Sequence, residues 1–178
     1  MAQFQSFDPN VEVSGAAISV IVKAMGNRAL RVLAAHGLDD INPDGWYPQQ
    51  AWLDAFQELS QGDFNSTLDL VSIGIRIPET LTWPSDIKTV EEALLSIDKV
   101  YQMAHRNGKI GSYQVEMVGT REAKMVCENP YPCDFDYGLI YSTARFFLPA
   151  GTGLTVVHDD HTSCRKKGDD SCTYYVHW

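Results

Sequence analysis

The residues best suited to chemistry in this 178-residue chain lie in its last third, in Cys133-Asp-Phe135-Asp-Tyr-Gly138 and His161-Thr-Ser-Cys164-Arg-Lys-Lys-Gly168-Asp-Asp-Ser-Cys172. Thiolate and imidazole are good zinc ligands, and four of them in a tetrahedron make a closed structural site. Cys133, His161, Cys164 and Cys172 supply such a set. The spacing is not the tight pair of C-x-x-C knuckles that marks a zinc ribbon. It leaves open a second reading, with Cys164 and Cys172 as cross-strand neighbours in a hairpin, either reduced or disulfide-bonded. Cys127 falls outside both readings and is read as a small buried hydrophobe. His158-Asp-Asp-His161 invites a metal too, but residues three apart on a flat strand point to opposite faces. The same geometry means that His161 and Cys164 can share an ion only across a turn or bulge.

These segments carry a resemblance. Cys164-x7-Cys172 with Gly168-Asp-Asp inside it, Cys133-x-Phe135-x-x-Gly138 and the closing Thr173-Tyr-Tyr-Val176 resemble the 4-vinyl-reductase-like domain, most clearly over Ser112 to Trp178. The resemblance implies a small-molecule-binding domain, with a zinc ion near the ligand pocket as in the aromatic-responsive sensors of that family. It places the family's three zinc cysteines at Cys133, Cys164 and Cys172, and puts His161 where those sensors carry an acidic ligand. The wider superfamily also holds haem nitric-oxide sensors and trafficking-complex subunits, so fold alone does not assign a function.

Tyr141-Ser-Thr-Ala-Arg145 is similar to the Tyr-x-Ser-x-Arg element that holds haem propionates in the nitric-oxide sensors, with Thr143 in the serine's place; His105 lies upstream where an axial ligand would be sought. The altered hydroxyl residue and the lack of an axial motif around His105 make haem the disfavoured alternative. Arg145 is expected to pair with Asp134 or Asp136. For a small hydrophobic or aromatic ligand, the candidate lining is Trp52, Phe56, Tyr101 and His105, at a junction between the helical half and the sheet. No Ser-His-Asp order, P-loop or dinucleotide glycine fingerprint is present, and catalysis has little support.

The elements that position these residues follow from periodicity. Apolar residues recur at three and four over Val13 to Met25, with Gly26 as a break, and again from Asn27 to a stop at Gly37. Tyr47 to Ser60, closed by Gly62, and Asn65 to Ile75, ahead of Pro78, read as two more helices. Thr89-Val-Glu-Glu92 is a capping box that opens a fifth, through Tyr101. After Gly111 the period changes to two: Tyr113, Val115 and Met117 alternate with polar residues, and Ala123 to Cys127 is the partner strand. Phe135 to Phe147 reads as an inserted helix, Leu154 to His158 as a strand, and the terminal segment as a hairpin whose tip carries Arg165 to Lys167. The expectation is an α+β domain spanning 1–178, with N-terminal helices (1–110) packed on a mostly antiparallel C-terminal sheet (111–178) with one inserted helix.

Composition bounds the function. Fourteen basic against 23 acidic residues give a net charge of −9, which leaves no excess cation for nucleic-acid phosphates. The apolar run Ala16 to Val22 is far short of the ~20 residues a membrane span needs, and the N-terminus lacks a basic signal-peptide start. The expectation is a cytoplasmic small-molecule-binding sensor or carrier with structural zinc, homodimeric through the apolar surface of Ala16 to Leu33. The alternatives are an enzyme or accessory protein in tetrapyrrole reduction, a haem-based gas sensor and a scaffold subunit.

Overall fold

The structure is a computed structural model and describes residues 3–25, 27–61, 66–159 and 161–178. The proposed break at Gly26, the stop at Gly62 and the helix start at Asn65 lie outside the described residues. Two α-helices, α1 (Gly15–Met25) and α2 (Asn27–Ala35), are followed by α3 (Gln49–Gln61), α4 (Ser66–Thr80) and α5 (Val90–Met103). The predicted capping box is formed at α5: the Glu92 amide donates to Thr89 Oγ1, while Glu92 Oε2 accepts from the Thr89 amide.

Three short strands lie where the sequence pattern predicts helix ends or loop. β1 (Glu12–Ser14) pairs antiparallel with β2 (Trp46–Pro48) and with β3 (His105–Arg106) in a small sheet. Segments of two or three residues are too short to show a period of two, so only their pairing reveals them. The main sheet is antiparallel, in the order β4 (Ser112–Gly119), β5 (Glu122–Glu128), β7 (Cys172–His177), β6 (Thr155–Asp159). Strict alternation on β5 turns Ala123, Met125 and Cys127 inward, and β7 does the same with Cys172, Tyr174 and Val176. The inserted helix α6 (Cys133–Phe146) lies between this sheet and the helical half. The fold is therefore the expected α+β arrangement.

Helix α4 passes through Pro78 instead of stopping before it. A proline in a helix deprives the carbonyl four residues back of its donor, here that of Gly74. Ser142 on α6 supplies a replacement, its hydroxyl donating to the Gly74 carbonyl at 3.4 Å. The two helices can meet this closely because both lack a side chain at the crossing. A Cβ on Gly138 would lie 2.1 Å from the Val71 carbonyl oxygen, and one on Gly74 would lie 2.3 Å from that of Phe135. Neither atom is a flexible side-chain end, so a methyl group at either position forces the backbones apart. Gly138→Ala is expected to destabilise the protein by about 3 kcal/mol, the upper end of ordinary overpacking, measured as a lowered thermal midpoint.

Candidate metal centre and adjoining cavity

Three of the predicted ligands come together. Cys133 opens α6, Cys172 opens β7, and Cys164 lies in the loop between β6 and β7. The Cys133 Sγ lies 3.0 Å from that of Cys172 and 3.9 Å from that of Cys164. All four cysteines are free thiols, with no disulfide joining Cys164 and Cys172. The loop is shaped around Cys164. Its amide donates to Asp169 Oδ2 at 2.9 Å, its carbonyl accepts from the Lys167 amide at 2.8 Å, and Gly168 takes the left-handed conformation (φ 94°) that closes the turn. This accounts for the Gly168-Asp-Asp motif in local backbone terms.

The histidine that joins them is His158. One of its ring nitrogens and the three sulfurs all lie within 4.8 Å of one another. His161 is exposed beyond the end of β6, its amide bonded to Asp159 Oδ1; the described metal-competent group does not include it. A signal for His158 was present in the sequence. Val156 is buried, and two residues on, His158 must share its face. The strand register then sets His158 opposite Tyr174, with the rings stacked at 4.7 Å. Nε2 of His158 is buried and has no hydrogen-bond partner. An orphaned imidazole nitrogen among three thiols is the donor set of a tetrahedral Cys3His metal site.

The thiols are electrostatically uneven. A hydrogen bond from Cys133, together with the adjoining His158 ring and the Arg165 guanidinium, holds the Cys172 thiol well below its ordinary range. The same bond, with burial, pushes Cys133 up. Gln3 adds a donor, its Nε2 lying 2.7 Å from the Cys133 sulfur.

Arg165 is not part of an exposed hairpin tip. It starts a single 3-10 turn (Arg165–Lys167) and is 2 % exposed. Its amide and Nε both point at the Cys172 sulfur, at 3.3 and 3.4 Å. Its Nη1 donates to the Tyr131 carbonyl at 2.7 Å and to Asn129, and its Nη2 pairs with Asp136. Asp136 also accepts from Tyr113 Oη at 2.6 Å and from Asn129 Nδ2 at 3.2 Å. Burial pushes the Asp136 carboxyl up, while Arg165, Tyr113 and Asn129 pull it back. Asp136 thus pairs with Arg165, and Asp134 with Lys166 at 2.8 Å; the expected Arg145 pairing with either acid is not among the described ion pairs. Arg145 is exposed.

Beyond the Asp136 network lies an apolar cavity of about 120 Å³ between the helical half and α6. Trp52, Tyr101 and His105 line it, as do Trp83, Tyr131 and Thr143. Phe56 stands behind the wall, packed edge-on against Trp52 at 4.7 Å and against Phe135 at 5.3 Å. His105 Nδ1 lies 2.8 Å from the Tyr101 carbonyl, so it carries the proton. Nε2 then accepts from the Tyr131 hydroxyl at 2.7 Å.

The comparisons bear on the fold. No protein family's sequence profile matches the chain, and no curated protein does. Solved structures do match. One is an unliganded Fe(II) H-NOX protein, a point mutant from K. algicida (TM-score 0.69, 15 % identity, 92 % of this chain and 95 % of that one). This is the H-NOX fold. A second is an oxygen-binding H-NOX domain related to soluble guanylate cyclases, in its oxygen complex (TM-score 0.66, 18 % identity, 92 % and 91 %). A third is an H-NOX protein from S. oneidensis in the Fe(II)NO state (TM-score 0.65, 14 % identity, 92 % and 97 %). H-NOX denotes haem nitric oxide/oxygen binding.

The residues of this chain do not fit a haem. Both ring nitrogens of His105 are already engaged, and no Arg or Lys lines the cavity to meet propionates. Tyr141, Thr143 and Arg145 lie on a helix, where i and i+2 face different ways: Thr143 faces the cavity while Arg145 is exposed. A cavity of about 150 Å³ holds one benzene ring, and a macrocycle of four pyrroles needs several times that space.

Burial pushes the His105 ring down to about 4. The folded protein therefore binds fewer protons there than the unfolded chain between about pH 6.5 and 4, and stability falls as pH falls through that window. The loss from this residue is roughly 3 kcal/mol at most. In urea melts across that range, His105→Gln is expected to flatten the acid limb relative to the parent.

Proposed function

We propose that the protein is a small-molecule-binding sensor or carrier domain whose C-terminal half is clamped by zinc. The observation that carries this reading is the orphaned Nε2 of His158 among three buried thiols, in a fold that also holds an apolar cavity. Zinc suits a donor set of three sulfurs and one nitrogen, and a site with four protein ligands keeps no open position for catalysis. The ion would join α6, the β6–β7 loop and both terminal strands. Arg165 would balance the negative charge that three thiolates leave on a divalent ion, through its bonds to the Cys172 sulfur. The motifs that resemble the 4-vinyl-reductase-like domain support the same assignment, now with His158 as the fourth ligand. The H-NOX neighbours are described with haem-type iron and diatomic gases; this chain keeps their fold with a lining suited to a compact apolar molecule. No helix among the described residues is long and apolar enough to cross a membrane.

Elemental analysis of chelator-free protein is expected to give about one zinc per chain. Cys164→Ser, Cys172→Ser and His158→Ala should each lower that content together with thermal stability, since metal binding is coupled to folding. His161→Ala should leave the zinc content unchanged. Zinc well below one ion per chain, with a Cys164 to Cys172 disulfide in peptide maps, would overturn the metal reading.

Homodimerisation through α1 and α2 belongs to the same proposal, supported by Leu30 on α2, half exposed. Light scattering is expected to give twice the 19.9 kDa chain mass, and a monomer at high concentration would count against it.

A further inference from the structure

The metal centre of the proposed function receives a contact from the far end of the chain: Gln3 Nε2 lies 2.7 Å from the Cys133 sulfur. A short strap, residues 3–6, delivers that side chain. The Phe4 amide donates to the Pro130 carbonyl at 2.8 Å. Gln50, on α3, grips the strap with both ends of its carboxamide: Nε2 donates to the Phe4 carbonyl at 3.0 Å, and Oε1 accepts from the Ser6 amide at 2.9 Å. Phe4 takes a left-handed backbone conformation (φ 67°), which a bulky residue adopts only where its surroundings impose it. Its ring packs against the buried core. Pro130 sits between Asn129 and Tyr131, whose carbonyls hold the Arg165 guanidinium, so the strap is tied to the loop that fixes Arg165.

We propose that Gln3 is a positioning residue of the metal centre, its carboxamide N–H donating to the Cys133 thiolate while the strap holds it in place. The proposal rests on the metal reading and extends it to a residue outside the ligand set. Three thiolates and a neutral imidazole leave a net negative charge on a divalent ion, and donors to the sulfurs spread that charge. Arg165 serves Cys172 in this way, through its amide and Nε at 3.3 and 3.4 Å; Gln3 serves Cys133. A metal-bound thiolate carries no proton and only accepts. The amide nitrogen of Gln3, and not its oxygen, must therefore face the sulfur, as it does. The bond fixes the position of the sulfur as well as its charge, because the backbone beside Gln3 is tied down at Phe4.

The test uses the full-length protein with cobalt(II) in place of zinc, because thiolate-to-cobalt charge transfer reports on the sulfurs directly. Wild type is compared with Gln3→Leu, which keeps the bulk and loses the donor, and with Gln50→Ala, which loosens the strap without touching the centre. Affinity is read by competition with a chelator. Gln3→Leu is expected to weaken cobalt binding about tenfold and to move the charge-transfer band to longer wavelength, since a thiolate that loses a donor gives up its electrons more readily. Gln50→Ala should move both readings the same way, and the double variant should go no further than Gln3→Leu, because both act through one bond. If Gln3→Leu leaves affinity and band at wild-type values, or weakens binding with the band unmoved, the proposal is overturned and the metal centre stands. Gln50→Ala at wild-type values, or a double variant whose losses add, overturns the strap. If wild type takes up neither cobalt nor zinc, the metal reading itself falls, and the role of Gln3 with it.

Discussion

The buried guanidinium of Arg165 is the group on which the C-terminal half depends. A cation taken wholly out of water is tolerated only with close counter-charge and a partner for its donors. Asp136, the Asn129 and Tyr131 carbonyls and the Cys172 sulfur supply these from α6, the loop before it and β7. Each acceptor must be held in place for the cation to be stable, so the requirement of one residue sets the relative position of three segments. Because Cys133 and Cys172 lie on two of those segments, the thiols converge as a consequence.

The same network forms one wall of the cavity. Tyr113 bonds Asp136 and lines the cavity, and Tyr131 gives its carbonyl to Arg165 and its hydroxyl to His105. A metal on the thiols and a molecule in the cavity would therefore lean on one shared polar layer. The layer leaves the cavity apolar by engaging its polar groups among themselves. The backbone arrangement is shared with the H-NOX structures, while the engagement of His105 is set by the side chains of this chain.

Much of this was legible along the chain. Period-3.6 and period-2 stretches locate the main helices and strands of the described residues, and the capping box at Thr89 marks the start of α5 to the residue. Cys133, Cys164 and Cys172 are conspicuous by type and motif. These are local properties, in which burial on one side of an element leaves its period in the sequence. His158 lay on the border of legibility, since alternation from Val156 points it inward, whereas His161 drew attention by its place in the motif.

What only the tertiary structure decided are the encounters between distant segments. The pairing of β1 with β2 and β3, the passage of α4 through Pro78 and the Arg165–Asp136 pair join residues with no shared period, and a basic run beside acids reads locally as a solvated turn. The choice of His158 over His161 depends on which face β6 turns to Cys172, a register set by pairing across the sheet. Whether a hydroxyl is satisfied, as with Ser142 and not Thr143, depends on which backbone lies opposite. Sequence determined which groups were available and on which faces of their elements; the three-dimensional packing determined which of them met, because hydrogen bonds and metal ligation act over a few ångströms that the chain spans only after it has folded.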